Sequence, residues 1–126
     1  MTPPRRILIA DDEPNIVTSL EFLMKGCDFE VRVARDGEEA MRLAEDFRPD
    51  LLLLDVMMPL CDGLEVCRRL RGNPATCAIR IVILTAHGRE TDVARGLALG
   101  ADAYITKPFS NKELVAKVRS LLQPAP

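Results

Sequence analysis

Reactive side chains follow short apolar runs at four places in the sequence. Asp11 and Asp12 follow Ile-Leu-Ile-Ala, and Asp55 follows four leucines. Thr85 follows Ile-Val-Ile-Leu, and Lys107 follows Tyr-Ile-Thr. Each run belongs to a predicted β-strand, and the runs before Asp55 and Thr85 are apolar enough for strands that are buried on both faces. One polar residue after a strand means little, but four strand ends of suitable chemistry indicate a shared site.

Three carboxylates at one place repel one another, so we expect a cation among Asp11, Asp12 and Asp55. Oxygen ligands left partly open to solvent suit Mg²⁺. Lys107 adds an ammonium group and Thr85 a hydroxyl donor. With the metal, these groups would bind the three equatorial oxygens of a phosphoryl group. Asp55 is ionised near neutral pH and would attack phosphorus in line, so the predicted product is an acyl phosphate.

These side chains can meet only if the strands that carry them lie side by side. The apolar pattern alternates five times between short runs and helical periodicity, which is typical of βα units. The predicted strands are 6–10, 30–34, 51–54, 79–84 and 103–106, and the predicted helices are 14–26, 36–47, 63–71, 89–99 and a last one that is capped by Ser110 and ends at Leu122. We therefore expect an α/β fold with a doubly wound sheet of five parallel strands, flanked by five helices. The carboxyl ends of the strands in such a sheet share one edge, where ligands bind.

The composition fits a single globular domain. The chain has 126 residues, of which 48% are hydrophobic and 29% charged. We expect the domain to span 1–122 and residues 123–126 to form a C-terminal tail or the start of a linker. Without a long apolar stretch or an export signal, a cytoplasmic protein with no membrane contact is expected. A net charge of −2 argues against direct nucleic-acid binding, and the cluster of Arg68, Arg69 and Arg71 is expected to be a solvated helix face.

The four cysteines do not have the spacing of a metal site. Reduced thiols are expected for Cys27, Cys61 and Cys77 in a cytosolic protein, while a disulfide among these three would need an oxidising compartment, which nothing in the sequence indicates. Cys67 lies in the apolar register of the third predicted helix, which favours a small core residue over a nucleophile.

Longer stretches around the reactive residues match the motifs of a known family. They are Asp11-Asp12, Asp55-Val-Met-Met58-Pro59-Leu-Cys-Asp62-Gly63, Leu84-Thr85-Ala86 and Gly100-Ala-Asp-Ala-Tyr104-Ile-Thr-Lys107-Pro108-Phe109. With all four in order on the expected strand ends, essentially the whole chain resembles a bacterial two-component response-regulator receiver domain. The resemblance implies a flavodoxin-like sheet with strand order 2-1-3-4-5.

The same resemblance implies a regulatory role rather than a metabolic one. Asp55 would receive a phosphoryl group from a sensor histidine kinase or a histidine phosphotransfer protein, and the domain would catalyse this transfer and the later hydrolysis itself. Mg²⁺ would be held by Asp11 or Asp12, Asp55 and the backbone carbonyl of Met57. Thr85 and Tyr104 would then change the conformation of the surface formed by the fourth helix, fifth strand and fifth helix. This surface would control an effector domain or a target protein. A phosphorylation-dependent dimer is a further expectation.

Several residues keep a second interpretation. One of Asp11 and Asp12 could cap the first helix. Tyr104 could be an ordinary half-buried strand residue. His87 and Met57 stand two residues beyond Thr85 and Asp55; they could tune hydrolysis of the acyl phosphate, although a surface loop explains His87 equally well.

Three rival functions fit the residues less well. A phosphohydrolase of the haloacid-dehalogenase type needs a second acid two residues after the nucleophile, where this chain has Met57. An FMN carrier needs a glycine- and hydroxyl-rich phosphate loop, whereas Asp11, Asp12 and Glu13 would repel the phosphate. A degenerate receiver that acts only as an interaction module would lack one of the chemical residues, and all are present here.

Overall fold

Five β-strands alternate with five helices along the described part of the chain. The computed structural model describes residues 3–58, 62–86 and 88–122. The strands are β1 (Arg6–Ala10), β2 (Glu30–Ala34), β3 (Leu51–Asp55), β4 (Arg80–Ala86) and β5 (Ala103–Lys107). The helices are α1 (Pro14–Gly26), α2 (Gly37–Asp46), α3 (Gly63–Arg71), α4 (Glu90–Ala98) and α5 (Asn111–Leu122).

The strands form one parallel sheet in the order β2-β1-β3-β4-β5, which confirms the expected fold. Alternate side chains enter two core layers. One layer contains Leu8, Leu52, Leu54, Ile81 and Ile83 with residues of α2 and α3. The other contains Ile7, Ile9, Leu51, Leu53 and Val82 with residues of α1 and α5. Because each fully buried aliphatic side chain contributes about 1.5–3 kcal/mol, this packing fixes the strand register that positions the site.

Side-chain caps define where three of the helices begin. Asp36 accepts a hydrogen bond from the Glu39 N–H at 2.8 Å, and Asp62 accepts one from the Glu65 N–H at 2.9 Å. The predicted cap of α5 is confirmed, since the Ser110 hydroxyl accepts from the N–H of Glu113 at 3.0 Å. Each of these bonds satisfies an N–H group that has no partner within its own helix.

Three strands end later than the apolar pattern predicted. β3 includes Asp55, β4 runs to Ala86 and β5 includes Lys107. In the sheet Asp55 is paired with Leu84, and Thr85 with Thr106. Asp55, Thr85 and Lys107 therefore belong to the hydrogen-bonded sheet rather than to the loops after it, and the ladder limits where their backbones can move.

The prediction that Arg71 lies on a solvated helix face is wrong. Its guanidinium donates to the carbonyls of Cys77 (2.9 Å), Ile79 (2.6 Å) and Gly100 (2.9 Å) and to the carboxylate of Asp102 (3.0 Å). Arg71 therefore joins the end of α3 to the segments that precede β4 and β5. Helical periodicity places a residue on a face but cannot show that a long side chain reaches backbone carbonyls elsewhere. Arg68 and Arg69 are exposed, as expected.

Cys67 is a core residue, as predicted. Its side chain is buried, its Sγ lies 3.8 Å from the carbonyl oxygen of Leu99, and burial raises the pKa of the thiol. Cys27 and Cys77 are free thiols.

The expectations for Cys61, for His87 and for the tail 123–126 fall outside the described residues. Over the described ranges, no helix has the length and apolar character needed to cross a membrane.

Candidate functional site

The predicted acidic cluster forms at the carboxyl edge of the sheet. Asp11 follows β1 and is completely buried, Asp12 is exposed, and Asp55 ends β3 with 5% of its surface exposed. One carboxylate oxygen from each residue lies within 4.8 Å of the other two. Oxygen donors at this spacing fit a small divalent cation that prefers hard ligands.

Asp55 is harder to ionise than an exposed aspartate. The pKa of Asp55 is raised to about 6, mainly by burial. The Met57 N–H, which donates to its Oδ1 at 3.0 Å, counteracts this shift. Within that net value, the negative charge of Asp11 also raises the pKa, and the positive charge of Lys107 lowers it. Most Asp55 carboxyls are still ionised at pH 7, so the expected nucleophile is available. A bound cation would increase the ionised fraction, because it favours the charged form.

Lys107 supplies the main positive charge at this edge. Its Nζ lies 2.9 Å from Asp11 Oδ2, 3.3 Å from Glu13 Oε1 and 3.7 Å from Asp55 Oδ2. Although burial opposes the charged ammonium, the hydrogen bond to Asp11 and the charges of Asp55, Asp11 and Glu13 raise the pKa of Lys107 above its ordinary value. The bond between Lys107 and Pro108 is cis. Lys107 therefore stays charged and in contact with the acidic cluster.

Thr85 and Tyr104 line the same cavity. Thr85 is buried, and its hydroxyl donates to the carbonyl of Ala86 at 3.4 Å. The Tyr104 side chain is 46% exposed. Both residues line a space of about 360 Å³ together with Val93 of α4 and Thr106 of β5. The structure thus leaves room between the predicted hydroxyl donor and the predicted switching ring.

The alternative interpretation of Asp11 or Asp12 as a helix cap is wrong. The residue that precedes α1 is Glu13, and α1 has no side-chain cap hydrogen bond. Asp11 Oδ1 instead accepts from the Glu13 N–H at 2.9 Å. Met57 contributes its N–H to Asp55, while the predicted role of its carbonyl remains a prediction.

Two residues, Glu13 and Gly63, make contacts at the site that were not predicted from the sequence. Glu13 contacts Lys107, which is 94 residues away in sequence, and no local pattern reveals such a contact. Gly63 packs against β3: a Cβ atom there would lie 2.5 Å from the carbonyl oxygen of Asp55 and 2.8 Å from the Cα of Val56. The motif indicated that position 63 is a glycine, but only the packing explains why a glycine is needed there.

Comparison with known proteins identifies the family of this chain. The model of the response regulator receiver domain family matches residues 7–119. The chain belongs to this family. It is therefore a receiver domain of the kind used in two-component signalling, with a regulatory role.

Proteins similar to this chain include both regulators and kinases. The alkaline phosphatase synthesis transcriptional regulatory protein PhoP of Bacillus subtilis is 46% identical over 119 residues, which are 94% of this chain and 49% of PhoP. This receiver domain spans about half the length of the curated relatives that it matches. A putative response regulator from Chloroflexus aurantiacus has a structure with a TM-score of 0.91 and 38% identity, covering 95% of this chain and 98% of its own. The receiver domain of the sensor histidine kinase PA1611 from Pseudomonas aeruginosa, solved with a magnesium ion in its active-site cleft, has a TM-score of 0.87 and 29% identity, covering 94% of this chain and 98% of its own.

Proposed function

We propose that Asp55 is the phosphoacceptor of this receiver domain and that its phosphorylation requires Mg²⁺. The observation that carries the proposal is the position of Asp55 at the end of β3, with carboxylate oxygens of Asp11 and Asp12 within 4.8 Å of one of its own and the Lys107 ammonium 3.7 Å from its Oδ2. This arrangement combines a nucleophile, a set of metal ligands and a fixed positive charge.

The residues present fit Mg²⁺ because all the donors are oxygens and two of the carboxylates are buried. Asp11, Asp12, Asp55 and the backbone carbonyl of Met57 would hold the ion. When bound, Mg²⁺ neutralises negative charge on the carboxylates and on the incoming phosphoryl group. The cleft of the PA1611 receiver domain, which holds magnesium, supports this assignment.

The reaction forms a bond between an Asp55 carboxylate oxygen and phosphorus and breaks the bond between phosphorus and the donor. The donor nitrogen or oxygen leaves with the electron pair of that bond, and Asp55 becomes a mixed anhydride of a carboxylic and a phosphoric acid. Lys107 and the Thr85 hydroxyl would bind the oxygens of the transferred group. Attack by water on phosphorus later releases phosphate and restores the carboxylate.

We infer the donor and the output from the family. A sensor histidine kinase or a histidine phosphotransfer protein would supply the phosphoryl group. In the phosphorylated state Thr85 would turn towards the phosphoryl oxygens, and the Tyr104 ring would enter the space that both residues line. The surface of α4, β5 and α5 would then change its population of conformers and control an effector domain or a target. A transcription-regulating effector is one candidate, because PhoP is a transcriptional regulatory protein.

Intact mass spectrometry tests this proposal. The protein is incubated with Mg²⁺ and a small acyl-phosphate donor, with and without a chelator. We expect one added phosphoryl group in the wild type, none after chelation and none in Asp55→Asn. Asp46→Asn is the matched control, because Asp46 is exposed on α2, and it should be phosphorylated like the wild type. A wild type that never gains the group would refute the proposal.

A further inference from the structure

Glu13 lies beside the candidate site without belonging to the proposed metal ligands. Its backbone is held on both sides, since its N–H donates to Asp11 at 2.9 Å and its carbonyl accepts from Val17 at 3.0 Å. Its side chain is 60% exposed, but Oε1 lies 3.3 Å from the Lys107 Nζ. Glu13 is therefore fixed at a position from which it draws the ammonium of Lys107 towards α1.

We propose that Glu13 is a positioning residue that retains Lys107 on the α1 side of the site and thereby opposes occupation of the site by a phosphoryl group. The inference rests on the proposed function. It adds a residue that sets how readily the site is loaded.

The distances show which way the ammonium is held. Lys107 Nζ is closer to Asp11, at 2.9 Å, and to Glu13, at 3.3 Å, than to Asp55, at 3.7 Å. A metal ion bound by Asp11 and Asp55 would neutralise both of these partners. Among the residues that the structure describes, Glu13 would then be the remaining carboxylate in contact with Lys107.

The sign of the effect follows from charge. A phosphoryl group on Asp55 needs the ammonium of Lys107, so it competes with Glu13 for the same donor. Glu13 also repels the phosphoryl oxygens directly. Removing its charge should therefore strengthen binding of a phosphoryl group, whereas it should weaken binding of Mg²⁺ alone. A general loss of folding would weaken both.

The test uses beryllofluoride, a non-transferable substitute for the phosphoryl group, with isothermal titration calorimetry at saturating Mg²⁺. We expect Glu13→Gln to bind beryllofluoride about two- to fivefold more tightly than the wild type, the size typical of a partly exposed ion pair. The affinity for Mg²⁺ alone, titrated separately, should fall slightly. Glu113→Gln is the matched control, because it removes the same charge from an exposed position on α5, and it should change neither affinity.

A Lys107→Ala background separates positioning from direct repulsion. If Glu13 acts through Lys107, most of the gain from Glu13→Gln is lost when Lys107 is absent, and only the part that comes from direct repulsion remains. A gain that persists undiminished in Lys107→Ala, or no gain in the wild-type background, would overturn the inference. Failure of the wild type to bind beryllofluoride would instead contradict the proposed function, so the two failures are distinguishable.

Discussion

The burial of Asp55 opposes the reactive role that we propose for it. The fold places this carboxylate at the end of a fully buried strand and beside the buried Asp11, and its pKa rises to about 6. A group whose pKa is raised in the folded state stabilises the fold while it is protonated. That contribution is complete below its unfolded pKa, near 4, and is lost as the pH rises through about 6.

Asp55→Asn should therefore stabilise the metal-free protein at neutral pH. We expect its free energy of unfolding at pH 7.5 to exceed that of the wild type by about 1–3 kcal/mol, and the difference to vanish near pH 4. Urea denaturation in the presence of a chelator measures both values. Added Mg²⁺ should stabilise the wild type more than the variant, since the variant has lost one of the proposed ligands.

An unchanged free energy of unfolding in Asp55→Asn at pH 7.5 would contradict this account of Asp55. Asp46→Asn again provides the control, because Asp46 lies on an exposed face of α2 and its charge should not affect the site.

At the scale of elements, the approach of α3 to β3 sets the backbone around Asp55. α3 begins at Gly63, whose N–H donates to the Val56 carbonyl at 3.0 Å. A Cβ atom at this position would meet backbone atoms of Asp55 and Val56, and backbone cannot move aside as a flexible side chain can. The start of α3 therefore holds the carboxyl end of β3 by direct contact.

Gly63→Ala should destabilise the fold by about 1–3 kcal/mol, as overpacking of a tight contact does, and should also slow phosphorylation of Asp55. Gly26→Ala is the matched control. A Cβ atom at Gly26 would meet nothing within 4 Å, and alanine is the better helix former, so this change should be neutral or slightly stabilising. Urea denaturation and initial phosphorylation rates measure the two effects. A Gly63→Ala protein as stable as Gly26→Ala would show that the contact is unimportant.

The elements themselves were predictable because their signals are local. Five apolar runs, the helical spacing between them and caps such as Ser110 all lie within short stretches of sequence. The strand ends were less predictable, because the alternation of side chains does not reveal how far the ladder continues, and so Thr85 and Lys107 were expected after their strands rather than within them.

Contacts between distant residues could not be read from the pattern. Arg71 reaches Asp102, and Glu13 reaches Lys107, across gaps of 31 and 94 residues. Only the packed sheet brings these partners together. The acidic cluster was predictable despite similar gaps, because one rule, the shared edge of parallel strands, applies to all its members.

At the scale of the whole molecule, the candidate site and the proposed output surface lie on neighbouring elements. Thr85 of β4 and Tyr104 of β5 line the same cavity, and α4 borders it through Val93. At the other end of α4, the carbonyl of Gly100 is bound by Arg71. A change at Asp55 would thus reach α4 through β4 and β5, while Arg71 fixes the segment that follows the helix.

The central claim is that Asp55, and no other carboxylate, receives the phosphoryl group. Borohydride reduction tests it most directly, because this reagent converts an aspartyl phosphate to homoserine. The protein is phosphorylated with an acyl-phosphate donor and Mg²⁺, reduced, digested and mapped by peptide mass spectrometry. We expect homoserine at position 55 alone, at an amount that follows the phosphorylated fraction. Homoserine at Asp11, Asp12 or another carboxylate with unmodified Asp55 would contradict the account.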